Sequence, residues 1–414
     1  MLAMQVDVVR SWWRTRRAMR MSAGGLAAHR ERQWRELQSS LARTPAIAQY
    51  PGKLLCEYPI TEICDLRTDY GLWNSLGLTD ADLREMADVA ERGEDTGDIV
   101  AGWSTGSGGG TRGLFVANAR ERADYLGQSL ARLLPPAALF RRQRIALHLR
   151  AGSALYSDVE SGRMAFRHVS LDQSSAEALG EIEAYAPTVL IAPPHRLIDF
   201  ARQGADLPSL RHLFTGSEAI SAAETDFVTN VLGLRPRSIW QATEGFLGAE
   251  CAGGRLHLND HALAIELEPV CGTSAFRPII TDLRRRSQPV VRLRGDDLVE
   301  LADDGPCACG YAGRVIRPIA GRAGDLWRLG DITLTPRQVV EAVENVLGAR
   351  WNWQACASPH EAILRVTPDA PAEDAARAQQ ALARLAPVHV RVEHTLPAWT
   401  GPKRRKVVWT HPST

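Results

Sequence analysis

The sequence predicts an α/β protein in which a large N-terminal domain of sheets covered by helices is followed by a small α+β domain. Three observations support this class. Short β-rich runs alternate with segments of helical periodicity from about residue 98 to about residue 297. A stretch rich in glycine and aspartate follows, which is typical of a domain boundary. Strand and helix patterns then alternate again, so we predict two domains, residues 1–320 and 321–414.

The predicted elements follow one another in a simple order. Residues 1–50 are predicted to be helical, with Trp12, Trp13 and Trp34 available to pack one face. Residues 120–134 also have helical periodicity, and the β-rich runs around them are IVAGW, GLFVAN, RIALHL, TVLIAPP, RHLFTG and RSIWQA. In the C-terminal part we predict helices at 336–347 and 372–385, and strands at 362–368 and 389–396.

Composition excludes several classes of protein. The formal net charge is +1, which gives no electrostatic case for nucleic-acid binding. The most apolar stretches, such as residues 188–194, are far shorter than the roughly 20 residues that a membrane helix needs. The N-terminus scatters arginines among apolar residues and does not resemble a secretory signal, so we predict a cytoplasmic protein. Seven cysteines are too few for a disulfide scaffold in a chain of 414 residues.

A run of hydroxyl and glycine residues, STGSGGGTRG, occupies residues 104–113. Glycines expose backbone N–H groups, hydroxyls donate to phosphate oxygens and an arginine supplies charge, so the run favours a nucleotide triphosphate. A dinucleotide fingerprint is disfavoured because a strand pattern follows, and a P-loop lacks its Gly-Lys-Ser/Thr. A flexible surface loop is the other interpretation. The predicted phosphate-binding residues are Ser104, Thr105, Gly106, Ser107, Gly108, Gly109, Thr111 and Arg112.

Five downstream segments accompany this loop. They are Gly216-Ser217-Glu218, Trp240-Gln241-Ala242-Thr243-Glu244, residues 292–297 (RLRGDD), residues 321–325 (GRAGD) and Gly401-Pro402-Lys403. In this order, over roughly residues 99–407, the sequence resembles the adenylate-forming superfamily of acyl and aryl acid–AMP ligases. The length of the chain and the stretch TDLRRRSQPVVRLRGDD are similar to the phenylacetate–CoA ligase-like branch.

The resemblance implies a role for each segment. Trp240 would stack on adenine, and the Asp297 carboxylate would bind both ribose hydroxyls. Thr243 would bond the α-phosphate, and Glu244 would hold Mg²⁺ between phosphates. Lys403 would be the catalytic cation, carried by a C-terminal domain that rotates between two half-reactions. The other nucleotide-binding residues are Gly216, Ser217, Glu218, Gln241 and Arg322.

The chain departs from the family pattern at four positions. Trp240 and Leu293 each replace a Tyr, and Arg112 stands where the family more often has Lys. Gly324 replaces the usual hinge carboxylate, which should leave the hinge mobile.

A second constellation consists of Cys251, His257, Cys307 and Cys309. Three thiolates and one imidazole form a tetrahedral Zn²⁺ set, and Cys-x-Cys flanked by glycine offers two sulfurs to one ion. All four positions are then filled, so the zinc would be structural. The alternative is four free or buried residues in a reducing compartment. The remaining cysteines, Cys56, Cys64, Cys271 and Cys356, are interpreted as core or surface thiols.

The acid and its acceptor are the least defined. His148, Ser153, Tyr156 and His195 are polar candidates for an acyl pocket. The resemblance implies an aromatic or short acid, such as a hydroxybenzoate-like acid, and transfer from acyl-AMP to a thiol of coenzyme A or an acyl carrier protein. The basic tail 403–406 suits either acceptor. The alternatives are an enzyme that releases acyl-AMP or makes an amide, and a non-catalytic nucleotide-binding module.

Overall fold

The computed structural model describes residues 2–50, 52, 54–92, 94, 97–104, 112–149, 163–303, 305–398 and 404–410. The first helices are α1 (Leu2–Ala18), α2 (Ala23–Leu41), α3 (Pro45–Ala48), α4 (Ile63–Thr68) and α5 (Asp80–Glu91). Among the described residues, none of the helices combines the length and the apolar character required to span a bilayer.

The N-terminal helices confirm the predicted helical start. Trp12 of α1 is buried against α6 (Ala119–Leu133), and Trp34 of α2 contacts Tyr58 edge-to-face at 5.3 Å. The prediction that Trp13 packs on the same face is wrong, because this side chain is 63% exposed. Consecutive helical residues are about 100° apart, so Trp12 and Trp13 cannot share one face.

An eight-stranded mixed sheet forms the centre of the large N-terminal part. The strands are β3 (Gln143–Leu147), β4 (Met164–His168), β5 (Val189–Ala192), β6 (His212–Thr215), β7 (Arg237–Ala242), β8 (Gly245–Glu250), β9 (Leu256–Leu258) and β14 (Val315–Ile316). Their order is β14-β9-β8-β7-β6-β5-β3-β4, with parallel pairing from β4 to β7 and antiparallel pairing beyond β7.

Helices cover both faces of this sheet. The apolar side of α6 packs with α1 on one face, where Leu126 and Leu130 meet Ile145 and Phe214. On the other face, Ala178, Leu197 and Val228 join a separate core. The helices that contribute these residues are α7 (Ser175–Tyr185), α8 (Pro194–Arg202) and α9 (Ala222–Leu232). The arrangement of a mainly parallel sheet between helices confirms the predicted α/β class.

Smaller sheets complete the N-terminal part. β1 (Ile99–Trp103) pairs with β2 (Leu114–Asn118) on either side of the glycine run. A three-stranded antiparallel sheet contains β10 (Leu263–Pro269), β11 (Phe276–Asp282) and β12 (Leu293–Arg294), and β13 (Asp297–Leu298) pairs with β15 (Gly321–Arg322).

The C-terminal elements share a core of their own, whose buried members all lie between Trp327 and Trp409. A hairpin of β16 (Trp327–Leu329) and β17 (Ile332–Leu334) comes first. The elements that follow are α10 (Pro336–Leu347), β18 (Trp353–Ala357), β19 (Glu361–Val366), α11 (Ala372–Leu385), β20 (His389–Glu393) and β21 (Val407–Trp409). The four strands among them form a sheet with the order β20-β19-β18-β21. Both predicted helices have the bounds expected from the sequence.

Candidate active site

A cavity of about 600 Å³ lies where the large sheet meets the C-terminal elements. The segments that follow β6 and β7 line it, as do β13, β15 and residues 404–407. Ligands of open α/β sheets bind outside the carboxyl ends of parallel strands, where the loops converge. The fold therefore brings together Gly216, Thr243, Asp297 and Arg322, which are far apart in the sequence.

The turn after β6 contains the first predicted nucleotide segment. Ser217 has a φ of +70°, which lets the chain reverse direction immediately after the strand. The Glu218 carboxylate accepts from His195 Nδ1 at 3.0 Å and from the backbone N–H of Arg404 at 2.7 Å. Both oxygens of Glu218 thus accept hydrogen bonds from other parts of the protein, and the sequence did not predict these contacts.

Trp240, Asp297 and Arg322 form a compact group. The indole Nε1 of Trp240 donates to Asp297 Oδ2 at 2.7 Å, and Arg322 Nε lies 3.8 Å from Asp297 Oδ1. Asp297 and Arg322 are backbone partners in the β13–β15 pair, which fixes their separation. Trp240 is only 5% exposed, so a limited part of its ring is available to a ligand.

The Thr243-Glu244 pair follows β7. Thr243 Oγ1 donates to Glu244 Oε2 at 3.1 Å. Burial raises the pKa of Glu244, and the nearby Asp297 carboxylate raises it further. A Cβ added at Gly113 would lie 3.2 Å from Thr243 Cγ2, so glycine permits the end of the glycine run to approach this pair closely. Gln241, on the same strand, is exposed.

Only the ends of the glycine run lie within the described residues. The backbone N–H of Ser104 donates to the Gly113 carbonyl at 2.7 Å, and the Gly113 N–H donates to Ser104 Oγ at 2.9 Å. Arg112 donates to the Ser104 carbonyl at 2.8 Å and forms an ion pair with Glu91 at 2.7 Å. The predicted phosphate-binding residues Thr105, Gly106, Ser107, Gly108, Gly109 and Thr111 lie outside the described part of the chain.

Arg285 is a site residue that sequence reasoning missed. Arg285 is half-buried, and its guanidinium donates to the Thr243 carbonyl and to Gln288 Oε1. Gln288 in turn accepts the backbone N–H of Val116 at 3.1 Å and donates to the Leu114 carbonyl at 3.2 Å. This chain of contacts connects the Thr243-Glu244 pair to β2, which follows the glycine run. The signal was the run Arg284-Arg285-Arg286, which we used only as a mark of the family branch.

The end of the chain returns to the cavity. Lys403 lies outside the described residues, but its neighbour Arg404 bonds to Glu218 through its backbone and to Asp199 Oδ2 at 2.8 Å through its side chain. Lys406 lies between Glu224 of α9 and Glu344 of α10, at 2.5 Å from Glu344 Oε1. Burial alone would lower the pKa of Lys406, but the two carboxylates outweigh it and the net direction is upward.

Four predicted metal ligands converge at the other end of β8. Their ligand atoms lie within 4.8 Å of one another, with Cys251 Sγ 3.7 Å from Cys307 Sγ and Cys309 Sγ 3.4 Å from His257 Nε2. Tetrahedral bonds of about 2.3 Å to sulfur and about 2.0–2.1 Å to nitrogen separate two sulfurs by about 3.8 Å, and a sulfur from a nitrogen by about 3.6 Å. His257 Nδ1 is 2.9 Å from the Gly313 carbonyl, which orients Nε2 towards the sulfurs. The group therefore fits one Zn²⁺.

The polar candidates for an acyl pocket fall into three groups. His195 lines the cavity. His148 is fully buried, its Nδ1 lies 3.0 Å from the Val169 carbonyl, and burial lowers its pKa to about 4. Ser153 and Tyr156 lie outside the described residues. The cavity lining also includes the apolar side chains of Leu147, Phe166, Ile191 and Phe214.

No protein-family model matches the chain, and no curated protein matches it. Solved structures do. The 2-hydroxyisobutyryl-CoA ligase, in the postadenylation state in complex with R3-HIB-AMP, has a TM-score of 0.70 and 18% identity, covering 95% of this chain and 91% of that chain. The same enzyme with 2-HIB-AMP and CoA, in the thioesterification state, has a TM-score of 0.54 and 16% identity, covering 96% and 92%.

Two further structures are similar over a smaller part. The anthranilate CoA ligase AuaEII, in complex with anthranoyl-AMP, has a TM-score of 0.53 and 15% identity, covering 74% of this chain and 66% of that chain. The amide bond synthetase McbA from Marinactinospora thermotolerans has a TM-score of 0.51 and 13% identity, covering 74% and 68%.

Proposed function

We propose that this chain, which has the fold of the adenylate-forming ligases, is an AMP-forming acid–thiol ligase. It activates a carboxylic acid with ATP to an acyl-adenylate and then transfers the acyl group to a thiol. The observation that carries the proposal is the convergence in one cavity of Trp240, Thr243, Glu244 and Asp297 from separate strands and loops. These side chains together suit a base, a ribose and phosphates.

The first half-reaction forms the acyl-adenylate. An oxygen of the substrate carboxylate attacks the α-phosphorus of ATP, and the bond to the leaving pyrophosphate breaks. Asp297 accepts from the ribose hydroxyls, Trp240 borders the adenine, and Thr243 donates to the α-phosphate. Lys403 and the ends of the glycine run stabilise charge that develops on the phosphates, which is where preorganised groups accelerate a reaction most.

Glu244 is our proposed ligand for Mg²⁺, which would supply positive charge to the phosphates when bound. The Glu244 side chain is half-buried in the cavity lining and its pKa is raised by desolvation, so a bound cation would relieve an unfavourable negative charge. Arg285 donates to the Thr243 carbonyl and thereby holds the backbone that carries the Thr243 and Glu244 side chains.

The second half-reaction transfers the acyl group. The sulfur of the thiol attacks the acyl carbonyl, AMP leaves, and the thiol proton is released. We propose coenzyme A or an acyl carrier protein as the acceptor, and an aromatic, hydroxybenzoate-like acid as the substrate. The apolar side chains in the cavity lining, such as Leu147, Phe166 and Phe214, support an aromatic acyl group. Residues 321–414 form the domain that moves between the two steps, since the C-terminal core is separate from the sheet that precedes it.

We also propose a structural Zn²⁺ held by Cys251, His257, Cys307 and Cys309. The spacing of these atoms supports a closed tetrahedral set, which connects the β8–β9 turn to the loop before β14. The site lies outside the cavity lining, which supports a role in stability rather than in the reaction.

A second candidate is the formation of an amide from the acyl-adenylate. The similarity to an amide bond synthetase favours it, because the same fold then serves an amine acceptor. Pyrophosphate release with a panel of aromatic and short-chain acids tests the first half-reaction. Adding coenzyme A, a carrier protein or an amine separately identifies the acceptor. If none of the acids in the panel triggers pyrophosphate release, the non-catalytic nucleotide-binding module becomes the better description.

Lys403→Ala tests the division of labour between the steps. We expect adenylate formation to fall about 100-fold or more, which is typical of losing one preorganised charge. Transfer from chemically prepared acyl-AMP to the thiol should persist. A parallel loss of both half-reactions would argue for a structural lysine, and a loss of neither would point to Arg404 or Lys406 as the cation.

A further inference from the structure

Glu218 connects three parts of the molecule through one carboxylate. It follows β6 in the turn beside the cavity, and its side chain is 13% exposed, as is that of its partner His195. His195 Nδ1 lies 3.0 Å from one oxygen, and the backbone N–H of Arg404 donates to the other at 2.7 Å. Glu218 and Arg404 are 186 residues apart in the sequence.

The tail that contains Arg404 also contacts α8. Arg404 reaches Asp199 at 2.8 Å, and Asp199 lies four residues after His195 on α8, so both project from the same face of that helix. Arg202, one further turn along α8, donates to the carbonyls of Ala349 and Arg350. One face of α8 and the Glu218 turn therefore form the surface on which the C-terminal elements rest.

The contact between Glu218 and the tail is specific to one arrangement of the two parts. The chain is closer to the postadenylation form of the 2-hydroxyisobutyryl-CoA ligase than to its thioesterification form, with TM-scores of 0.70 and 0.54. A rotation of the C-terminal part would separate Arg404 from Glu218, because the two residues belong to different parts. The hydrogen bond thus stabilises the arrangement that is more similar to the postadenylation form than to the thioesterification form.

We propose that Glu218 is a positioning residue for adenylation, which anchors the tail next to Lys403 and fixes His195 in the cavity lining. This rests on the proposed function. The carboxylate is suited to the role because it is an acceptor at both oxygens, and both of its partners are N–H donors. Hydrogen bonds to a charged acceptor hold such a segment more firmly than neutral ones.

The test compares Glu218→Ala with Glu218→Gln and with a control, Glu177→Gln. Glu177 is an exposed residue of α7 and does not line the cavity. In Glu218→Ala we expect adenylate formation to fall at least tenfold, while transfer from prepared acyl-AMP changes less than about threefold, since a charged hydrogen bond is worth about 10-fold or more. Glu218→Gln should retain most adenylation. Its amide oxygen can still accept from Arg404, while its NH₂ group donates to His195 after the imidazole proton shifts to Nε2.

A second measurement does not depend on turnover. Release of the tail should speed tryptic cleavage within residues 404–406 several-fold in Glu218→Ala, but not in Glu177→Gln, as followed by intact mass. Equal losses in both half-reactions, or unchanged adenylation and cleavage, would overturn the positioning role. If the wild type activates no acid, the proposed function fails by itself, and the cleavage rates still decide whether Glu218 anchors the tail.

Discussion

Single residues in the cavity depend on partners from distant segments. Asp297 is the clearest case, because it accepts from Trp240 and lies opposite Arg322 in a strand pair. One Asp297 oxygen is thus oriented by the indole before any ligand arrives. Trp240 would consequently have two functions, as a surface for the base and as a support for the carboxylate that binds ribose.

Substitutions at Trp240 separate these functions. Trp240→Phe keeps an aromatic ring and removes the N–H donor, so we expect it to weaken ATP binding less than Trp240→Ala. Asp297→Ala should weaken ATP binding about tenfold or more, since hydrogen bonds to charged groups are worth about 1.5–3 kcal/mol. Titration calorimetry measures the affinities, with Trp13→Phe on the exposed face of α1 as the control. Unchanged affinity in both alanine variants would place the nucleotide elsewhere.

At the scale of elements, the predicted hinge segment, residues 321–325, has at Gly321 a backbone that only glycine tolerates. Gly321 has a φ of +111°, and a Cβ there would lie 2.4 Å from the Pro336 ring. Its strand β15 pairs with β13, while the next residues enter a short turn ending at Asp325, which contacts Arg405 of the tail. Residues 321–325 therefore contact both the strand of Asp297, which lines the cavity, and Arg405 near the end of the chain.

Gly321→Ala and Gly324→Ala form a matched pair within this segment. A methyl group at Gly321 meets Pro336 and a strained φ, so we expect a loss of about 1–3 kcal/mol in stability. A methyl group at Gly324 would meet no atom within 4 Å, so its substitution should change stability little. Thermal unfolding of both variants measures the difference. Equal melting temperatures would show that the backbone at Gly321 relaxes without cost.

The proposed zinc ligands join two other elements, the β8–β9 turn and the loop before β14. We expect one zinc per chain, and Cys307→Ser should lower stability by several kcal/mol, because structural zinc contributes directly to folding. Metal analysis and melting temperature measure the two effects. Cys271→Ser, an exposed cysteine outside the group, is the control. Zinc-free protein, or a Cys307→Ser variant that melts like the control, would contradict the assignment.

At the scale of the whole molecule, several ionisable groups are buried away from the site. His148 and His261 are fully buried, and burial is the main cause that lowers the pKa of each. A folded-state pKa below the ordinary value means that the unfolded chain binds the proton first. The stability contributed by a neutral histidine is therefore present above about pH 6.5 and is lost as the pH falls towards the folded-state pKa.

The lowered pKa values of the buried histidines predict that the fold is less stable in acid. For His148, with an ordinary pKa of 6.5 and a folded-state value of about 4, the loss approaches about 3 kcal/mol at low pH. We expect the melting temperature to fall between about pH 7 and about pH 5. His148→Gln removes the titrating group and should reduce that fall. An identical pH dependence in the variant would assign the acid sensitivity to other groups.

The sequence by itself determined those features that short-range periodicity encodes. The helices Pro336–Leu347 and Ala372–Leu385 were predicted to the residue, because capping residues and apolar spacing are local. The strands β1, β2, β5, β6 and β7 also lie in the runs that predicted them, and β3 begins one residue before its run RIALHL. The α/β class followed from their alternation, and the order of the motifs predicted the ligase fold.

The tertiary structure alone decided which distant groups meet. The strand β21 lies in a tail for which we predicted no strand, because its partner β18 comes from about 50 residues earlier in the chain. The ion pairs of Lys406 and the hydrogen bonds of Arg285 were equally unpredictable, since charged side chains are usually solvated and nothing local marks the exceptions. Pairing between distant segments determines these contacts, and local patterns in the sequence do not show which segments will pair.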